Sequence, residues 1–455
     1  MDVKLSDHFD YKRLFRFVLP SVAMAFFLSI YGVVDGIFVA NLVGAKPFAA
    51  MNLVMPLIMI LGTVGVMLGS GGSALVAKIL GEKQNAKANA VFSLLIYTVI
   101  AAGIVLTFVG EWGLPYFAEW FGASGEFLDH CLLYGRIAMA NTVFFILQIV
   151  FQFLMVTAEK PHFAFVLTVV SGVMNIVFDA LFIMVFHWGL AGAAWATIIG
   201  EVIGGLFPLL YFTFSNSSLL RLGKPEKDLR CLIKAAGNGV SEFMTAVSMS
   251  LVNVVYNFQL LRLIGEAGVV AYGVILYVNF IFSSLYLGFA MGIAPVISYH
   301  YGAENHGELR NLLCKSLAII AAAAIIMTAA AELSASGLAQ IFVSADPALA
   351  DMTGKAFAVY ALSFLLIGFN IFGSSFFTAL NNGAVSAVIS FFRVLFFQGL
   401  CIVFLPMFFG VGGIWSSIVV AEVLSVSLTF GLLFGYRKRY RYAMIIDANK
   451  EEKEK

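Results

Sequence analysis

Long apolar runs alternate with short polar segments along most of the chain. Twelve runs are long enough for a helix to cross the ~30 Å hydrocarbon core of a bilayer, which takes about 20 residues. The predicted helices occupy roughly 14–43, 47–80, 86–109, 130–157, 162–186, 190–214, 232–262, 267–300, 310–331, 352–380, 384–408 and 411–436. Segments of ~10 alternating residues, which a membrane β-barrel would show, are absent. The pattern therefore predicts an all-α membrane protein.

Composition supports this prediction. Of 455 residues, 61% are hydrophobic and 12% are charged, whereas a soluble domain has about a quarter of its residues charged. The net charge of +1 provides no basic field of the kind that attracts nucleic acid. The four cysteines are scattered singly, so neither a zinc site nor a disulfide framework is predicted.

Motifs for catalysis are weak or missing. GlySerGlyGlySer at 69–73 lacks the GlyLys ending of a phosphate loop and lies inside a predicted helix, where small residues favour close helix contact. The histidines do not pair at a metal-ligand spacing within any one helix. We therefore expect neither an enzyme nor a cofactor.

Basic residues predict the orientation. Lys and Arg flank the start of the first helix, occur in alternate loops and follow the last helix, whereas the opposite loops at 111–129 and 332–351 carry acids and no Lys or Arg. The positive-inside rule places the basic side in the cytoplasm. Both termini are then cytoplasmic, and the chain is expected to be a multi-pass protein of the cytoplasmic membrane.

The chain repeats itself after about 221 residues. This shift aligns Gly44 with Gly265, Gly71 with Gly292 and Gly81 with Gly302. Because each half has an even number of helices, the two six-helix repeats must be parallel, as in some secondary transporters with a central cleft. The predicted organisation is an N-terminal lobe (1–214), a cytoplasmic linker (215–231), a C-terminal lobe (232–436) and a charged cytoplasmic tail (437–455).

Two aspartates lie within predicted membrane helices, where a charge is costly and indicates function. Neither Asp35 nor Asp179 has an evident basic partner nearby in sequence. Asn175 shares a helical face with Asp179, and Thr197 is within reach across a short connection. Carboxylate, amide and hydroxyl oxygens without a fixed cation make a site for Na⁺ or H⁺. The alternative is that each aspartate is a structural group satisfied by a neighbouring helix.

A second set of polar and aromatic residues follows one stripe of the fourth helix. Asn141, Phe145, Gln148, Gln152 and Met155 are spaced by three or four residues. The stripe suits the wall of a solvated cavity, and interhelical hydrogen bonds explain it equally well. Some intramembrane charges remain without an assigned role, including two cations that are isolated in their helices. They are Arg136, Arg393, Glu201, Glu242 and Glu422.

Several spaced motifs together resemble the multidrug and toxic compound extrusion (MATE) family. They are ValAspGlyIlePheVal in helix 1, ProLeuIleMetIle in helix 2 with the GlySerGlyGlySerAlaLeuValAlaLysIleLeuGlyGluLys that follows it, and AsnIleValPheAspAlaLeuPheIle leading into GlyLeuAlaGlyAlaAlaTrpAlaThr. The resemblance covers nearly the whole chain and is greatest to the bacterial branch with staphylococcal-type multidrug exporters.

The resemblance implies export of organic cations and amphipathic drugs in exchange for Na⁺ or H⁺ by alternating access. It places an N-lobe cation site on Asp35, Asn175, Asp179 and Thr197, which would also be the Na⁺ ligands. Helix 10 offers Asn370 instead of the acid that other members use in the C-lobe. The alternative is a lipid-linked precursor flippase of the same superfamily, which would need more cationic residues than Arg136, Arg262 and Arg393.

The expected partners are small-molecule cations or drugs and the lipid bilayer, with no nucleic acid, and we expect a monomer. Amphipathic cations bind mainly through apolar and π contacts. Aromatic, Met and amide side chains are therefore expected to bind substrate in the cleft. The candidates are Tyr31, Met55, Asn141, Gln148, Gln152, Tyr256 and Asn279.

Overall fold

In a computed structural model, residues 3–342 and 346–442 are described, except for the side chains of residues 33–35, 37–41, 45, 341 and 342. This part of the chain is helical and contains no strand. Its helices are α1 (Tyr11–Val43), α2 (Ala45–Gly81), α3 (Asn85–Trp120), α4 (Gly125–Ala140), α5 (Thr142–Thr157), α6 (Pro161–Asp179), α7 (Gly189–Thr213), α8 (Arg230–Leu263), α9 (Glu266–Gly302), α10 (His306–Phe342), α11 (Pro347–Ala361), α12 (Phe364–Ala379), α13 (Gly383–Ser390) and α14 (Gly399–Tyr440). π-Helical turns at Ala180–Val185 and Phe391–Gln398 extend α6 and α13.

The described helices account for twelve membrane spans. Nine segments are long and apolar enough to cross a membrane, and two bent pairs, α4 with α5 and α11 with α12, pass the same test together. One segment, Gly383–Tyr440, has 58 residues and would extend ~87 Å at 1.5 Å per residue, far more than one bilayer crossing needs. Its backbone leaves the helical region at Gly410 (φ 55°, ψ −133°), where one span ends and the next begins. The predicted all-α fold is confirmed.

Two spans differ from the continuous helices that the apolar pattern predicts. The fourth bends by 56° at Asn141, between α4 and α5, and the tenth bends by 48° between α11 and α12. Neither break contains Pro or Gly, which are the usual sequence signals for a kink. The bend at Asn141 redirects the stripe of polar residues, so that its first member lies at a helix end.

Reciprocal glycine contacts join the two lobes. A Cβ on Gly81 would overlap the carbonyl oxygen of Tyr299, and a Cβ on Gly302 would overlap that of Lys78. Gly81 and Gly302, like Lys78 and Tyr299, are separated by the 221-residue repeat. Glycine is required because only its backbone can approach another helix this closely. The expectation that small residues of the GlySerGlyGlySer run serve helix contact is also met, since Gly71 touches α8 at Ala235 and Gly239.

The segment before α1 connects the lobes on the same side. Leu5 and Phe9 are fully buried in the core that also contains most of the buried C-lobe residues. The Leu5 amide donates to Glu159, in the turn before α6, at 2.7 Å, and the Phe9 amide donates to Glu308 of α10 at 2.9 Å. Residues 3–9 therefore bridge one turn of the N-lobe and one helix of the C-lobe.

Candidate functional site

Three of the predicted N-lobe residues meet around Asn175. The Tyr31 hydroxyl of α1 donates to Asn175 Oδ1 at 2.7 Å. Asn175 Nδ2 donates to Thr197 Oγ1 of α7 at 3.4 Å, and Thr197 donates in turn to the Ala193 carbonyl at 3.1 Å. Asn175 is only 1% exposed. The structure thus brings together side chains from α1, α6 and α7 at one buried point.

Asp179 is the last residue of α6 and is also 1% exposed. It lies one turn beyond Asn175 on the same helical face, where the π-helical turn Ala180–Val185 begins. The backbone of Asp35 belongs to α1, but its side chain lies outside the described residues. The proximity of Asp35 and Asp179 therefore stays a prediction.

A cavity with about 470 Å³ of open space adjoins this cluster. Thr197 lines it, and so do Met55, Tyr134, Phe145 and Glu201. Thr197 is therefore shared between the buried polar cluster and the cavity.

The stripe of the fourth span serves both of the purposes that the sequence left open. Gln148 and Gln152 line a second, smaller cavity of about 230 Å³, while Phe145 lines the larger one. Gln148 Nε2 also donates to Ser171 Oγ of α6 at 3.4 Å. Asn141 Nδ2 donates to Glu201 Oε2 of α7 at 2.6 Å. Gln148 thus bonds a neighbouring helix and borders open space at the same time, whereas Asn141 bonds a neighbouring helix and Gln152 borders open space.

The two C-lobe residues that were predicted to bind substrate, Tyr256 and Asn279, lie apart from this cluster. Tyr256 is 2% exposed, its ring stacks on Tyr272 with centroids 4.1 Å apart, and its hydroxyl donates to the Ile414 carbonyl at 2.7 Å. Asn279 accepts from Ser283 at 3.0 Å. A role for either side chain in binding substrate stays a prediction.

A buried ion pair in the C-lobe was not foreseen. Arg393 Nε lies 2.9 Å from Glu422 Oε1 and 3.2 Å from Oε2. Asn370 Nδ2 donates to Glu422 Oε2 at 2.6 Å, and Thr429 donates to Asn370 Oδ1 at 2.8 Å. The view of Arg393 as an isolated cation was therefore wrong. The available signal was one acid and one base within apolar runs of neighbouring helices.

The predicted cation ligands form an all-oxygen set. Asp179, Asn175 and Thr197 supply a carboxylate, an amide carbonyl and a hydroxyl, which are the ligand types that hard cations prefer. Within the described residues, no group of three or more His, Cys, Asp or Glu side chains could hold a metal ion. That these residues bind a cation stays a prediction.

Comparison with known proteins defines the class. One family model, MatE, matches residues 20–181 and again residues 243–404, so both lobes are copies of one repeat. The chain is 25% identical to the multidrug export protein MepA of Staphylococcus haemolyticus over 436 residues, covering 94% of each chain. It is 24% identical to MepA of Staphylococcus aureus strain MRSA252, with the same coverage.

Solved structures agree on the fold. The crystal structure of MATE in complex with MaL6 superposes with a TM-score of 0.90 at 22% identity, covering 97% of this chain and 98% of that one. The outward-facing conformation of a multidrug resistance MATE family transporter gives the same values. The fold and the duplicated match define a multi-pass membrane transporter rather than an enzyme. The chain belongs to the MatE family.

Proposed function

We propose that this protein is a cation-coupled antiporter that exports organic cations and amphipathic drugs by alternating access. The observation that carries the proposal is the partly buried Asn175–Thr197 hydrogen bond beside a cavity that Thr197 itself lines. An ion bound at Asp179 and Asn175 would act on the same helix that borders the cargo. The printed names of the relatives, multidrug export proteins, support the same function.

Coupling requires that the ion and the cargo favour different conformations of one structural element. In this proposal, H⁺ or Na⁺ from outside binds at Asp35, Asn175, Asp179 and Thr197. The π-helical turn after Asp179 and the adjoining α7 then rearrange, and the cavity releases its cargo outward. Loss of the ion to the cytoplasm resets the cycle.

The proposal includes the setting of the transporter. A monomer lies in the cytoplasmic membrane with both termini in the cytoplasm, as the distribution of Lys and Arg predicts. The lobes are 1–214 and 232–436, joined by the linker 215–231, and the tail is 437–455. Residues 443–455 of this tail lie outside the described residues.

Reconstituted vesicles provide the test. Wild-type protein should export a cationic dye when either a Na⁺ or a pH gradient is imposed, and the effective gradient identifies the ion. Asp35→Asn and Asp179→Asn should each abolish gradient-driven export, because the ion loses a carboxylate ligand. Asp129→Asn, at an exposed position, is the matched control and should export normally.

Two results would contradict the proposal. Normal export by Asp179→Asn would exclude the N-lobe site as the coupling site. Movement of a fluorescent lipid-linked pyrophosphate across the vesicle bilayer, with no gradient-driven dye export, would instead favour the flippase alternative.

A further inference from the structure

Glu201 places a single carboxylate in the wall of the larger N-lobe cavity. It comes from α7, one turn after Thr197, and among the described residues that line the cavity it is the only charged one. Its neighbours there include Met55, Tyr134 and Phe145. Aromatic faces and thioethers surround organic cations favourably. In its ionised form, an acid inside such a cavity attracts a cation.

The contacts of Glu201 leave room for such a partner. Its Oε2 accepts from Asn141 Nδ2 at 2.6 Å, while its Oε1 makes no hydrogen bond within the described part of the chain. No Lys, Arg or His side chain in that part forms an ion pair with Glu201. The residue is partly accessible and lines the cavity.

The C-lobe shows how a carboxylate in this setting is satisfied. Glu422 lies in the last span of the C-lobe, as Glu201 lies in the last span of the N-lobe. Like Glu201, Glu422 accepts through Oε2 from an asparagine of its lobe's fourth span, here Asn370, at 2.6 Å. Glu201 and Glu422 are 221 residues apart, the same shift that aligns the glycines of the two halves, so the two acids occupy equivalent positions in the repeats.

The difference between the lobes lies in the third member of the cluster. In the C-lobe, the Arg393 guanidinium binds Glu422 at Oε1 and Oε2. In the N-lobe, no described basic side chain takes that role, and open space borders the acid instead. The C-lobe acid–amide pair thus binds the guanidinium of Arg393, whereas the N-lobe pair binds no described basic side chain.

We propose that Glu201 binds the positively charged group of the exported molecule, and that the preferred cargo carries a delocalised cation such as a guanidinium, an amidinium or an aromatic ammonium. A planar cation matches a carboxylate flanked by rings. The inference rests on the proposed function and specifies its cargo. Because Thr197 lines this cavity and contacts Asn175, the cargo site and the predicted ion site are adjacent.

Binding measurements separate this inference from coupled transport. The variant Glu201→Gln keeps the size of the side chain and an oxygen that can accept from Asn141, but it removes the charge. The protein in lipid nanodiscs is titrated with ethidium, a permanent planar cation, and with phenanthridine, its neutral parent ring, by surface plasmon resonance. Empty nanodiscs correct for partition into lipid.

Glu201→Gln should weaken ethidium binding at least tenfold and change phenanthridine binding less than twofold. Glu111→Gln, an acid of the same lobe that does not line the cavity, is the matched control and should bind both probes like the wild type. An unchanged ethidium affinity would overturn the inference, and so would an equal loss for both probes, which would mean that Glu201 only shapes the cavity. Failure of the wild type to bind ethidium would overturn it as well.

The same proteins distinguish the two proposals. Asp179→Asn should still bind ethidium while losing gradient-driven export. If the wild type binds ethidium through Glu201 but no ion gradient drives export, the proposed function fails and the cargo site stands. If gradient-driven export depends on Asp179 but Glu201→Gln binds ethidium normally, only the cargo site fails.

Discussion

Replacing Arg393 should destabilise the protein more than replacing the acid with which it pairs. The Glu422 side chain is 1% exposed and that of Arg393 is 16% exposed. When Arg393 is replaced by Met, Glu422 keeps, among the described side chains, only the Asn370 hydrogen bond, and its own side chain stays buried. When Glu422 is replaced by Leu, the long Arg393 side chain retains a partly accessible end that can turn outward.

The burial of the pair sets the magnitude. Removing one partner of a buried ion pair costs about 3–5 kcal/mol, because the other charge is left uncompensated. Arg393→Met should fall in that range, and Glu422→Leu should cost about 1–3 kcal/mol, since a polar group then loses its partner without being fully buried. Replacing both by apolar residues removes both charges and is often nearly neutral. The double variant should therefore be more stable than Arg393→Met alone.

Thermal stability in detergent provides the measurement. The fraction of protein that remains monodisperse after heating is compared among the wild type, the two single variants and the double variant, which gives the coupling between the sites. Because the acid is buried, added salt should change the differences little. A wild-type melting temperature for Arg393→Met, or a double variant less stable than both single variants, would refute the reasoning.

Two further predictions concern the side of the protein where the lobes meet. Gly302→Val should lower the free energy of unfolding by about 1–3 kcal/mol, because its Cβ overlaps a backbone carbonyl of α2. Gly273→Val, with open space around it, is the control. Equal stability of the two variants would contradict the prediction. Burial raises the pKa of Glu159 above its usual range, and the Leu5 amide opposes that shift. Stability from this group is thus present below the ordinary glutamate pKa of ~4.3 and is lost as pH rises through the raised value. Glu159→Gln keeps an acceptor for Leu5, so its melting temperature should fall less than the wild type's between pH 4 and pH 8; parallel curves would disprove this.

Sequence was sufficient for the features that depend on long, repeated patterns. Twelve spans follow from the length of the apolar runs, and the parallel repeat follows from the 221-residue shift. The contact of Gly81 with α9 and of Gly302 with α2 is the structural counterpart of that shift. These features were predictable because many residues contribute to each, so that no single side chain decides the outcome.

Which polar side chains pair with one another was harder to predict from the sequence. Arg393 and Glu422 are 29 residues apart, on different spans, and helical periodicity states which face each side chain occupies but not which helix that face meets. The bend at Asn141 likewise has no proline or glycine to mark it. That bend lies where the Asn141 side chain bonds Glu201, so a local departure from regular helix coincides with a long-range contact.

Duplication explains why the two lobes share helices and still differ in chemistry. Each last span retains a glutamate and each fourth span an asparagine that donates to it, but only the C-lobe glutamate has a basic side chain of the chain itself among the described residues. An acid satisfied by a fixed guanidinium gains nothing from a cargo cation, whereas an acid in an open cavity does. Under the proposed assignment, the C-lobe pair therefore stabilises its lobe, and the N-lobe pair leaves the attractive charge for the molecule that is carried. Since the predicted ion ligands Asn175, Asp179 and Thr197 also lie in the N-lobe, one lobe would hold both ligands whose exchange the cycle requires.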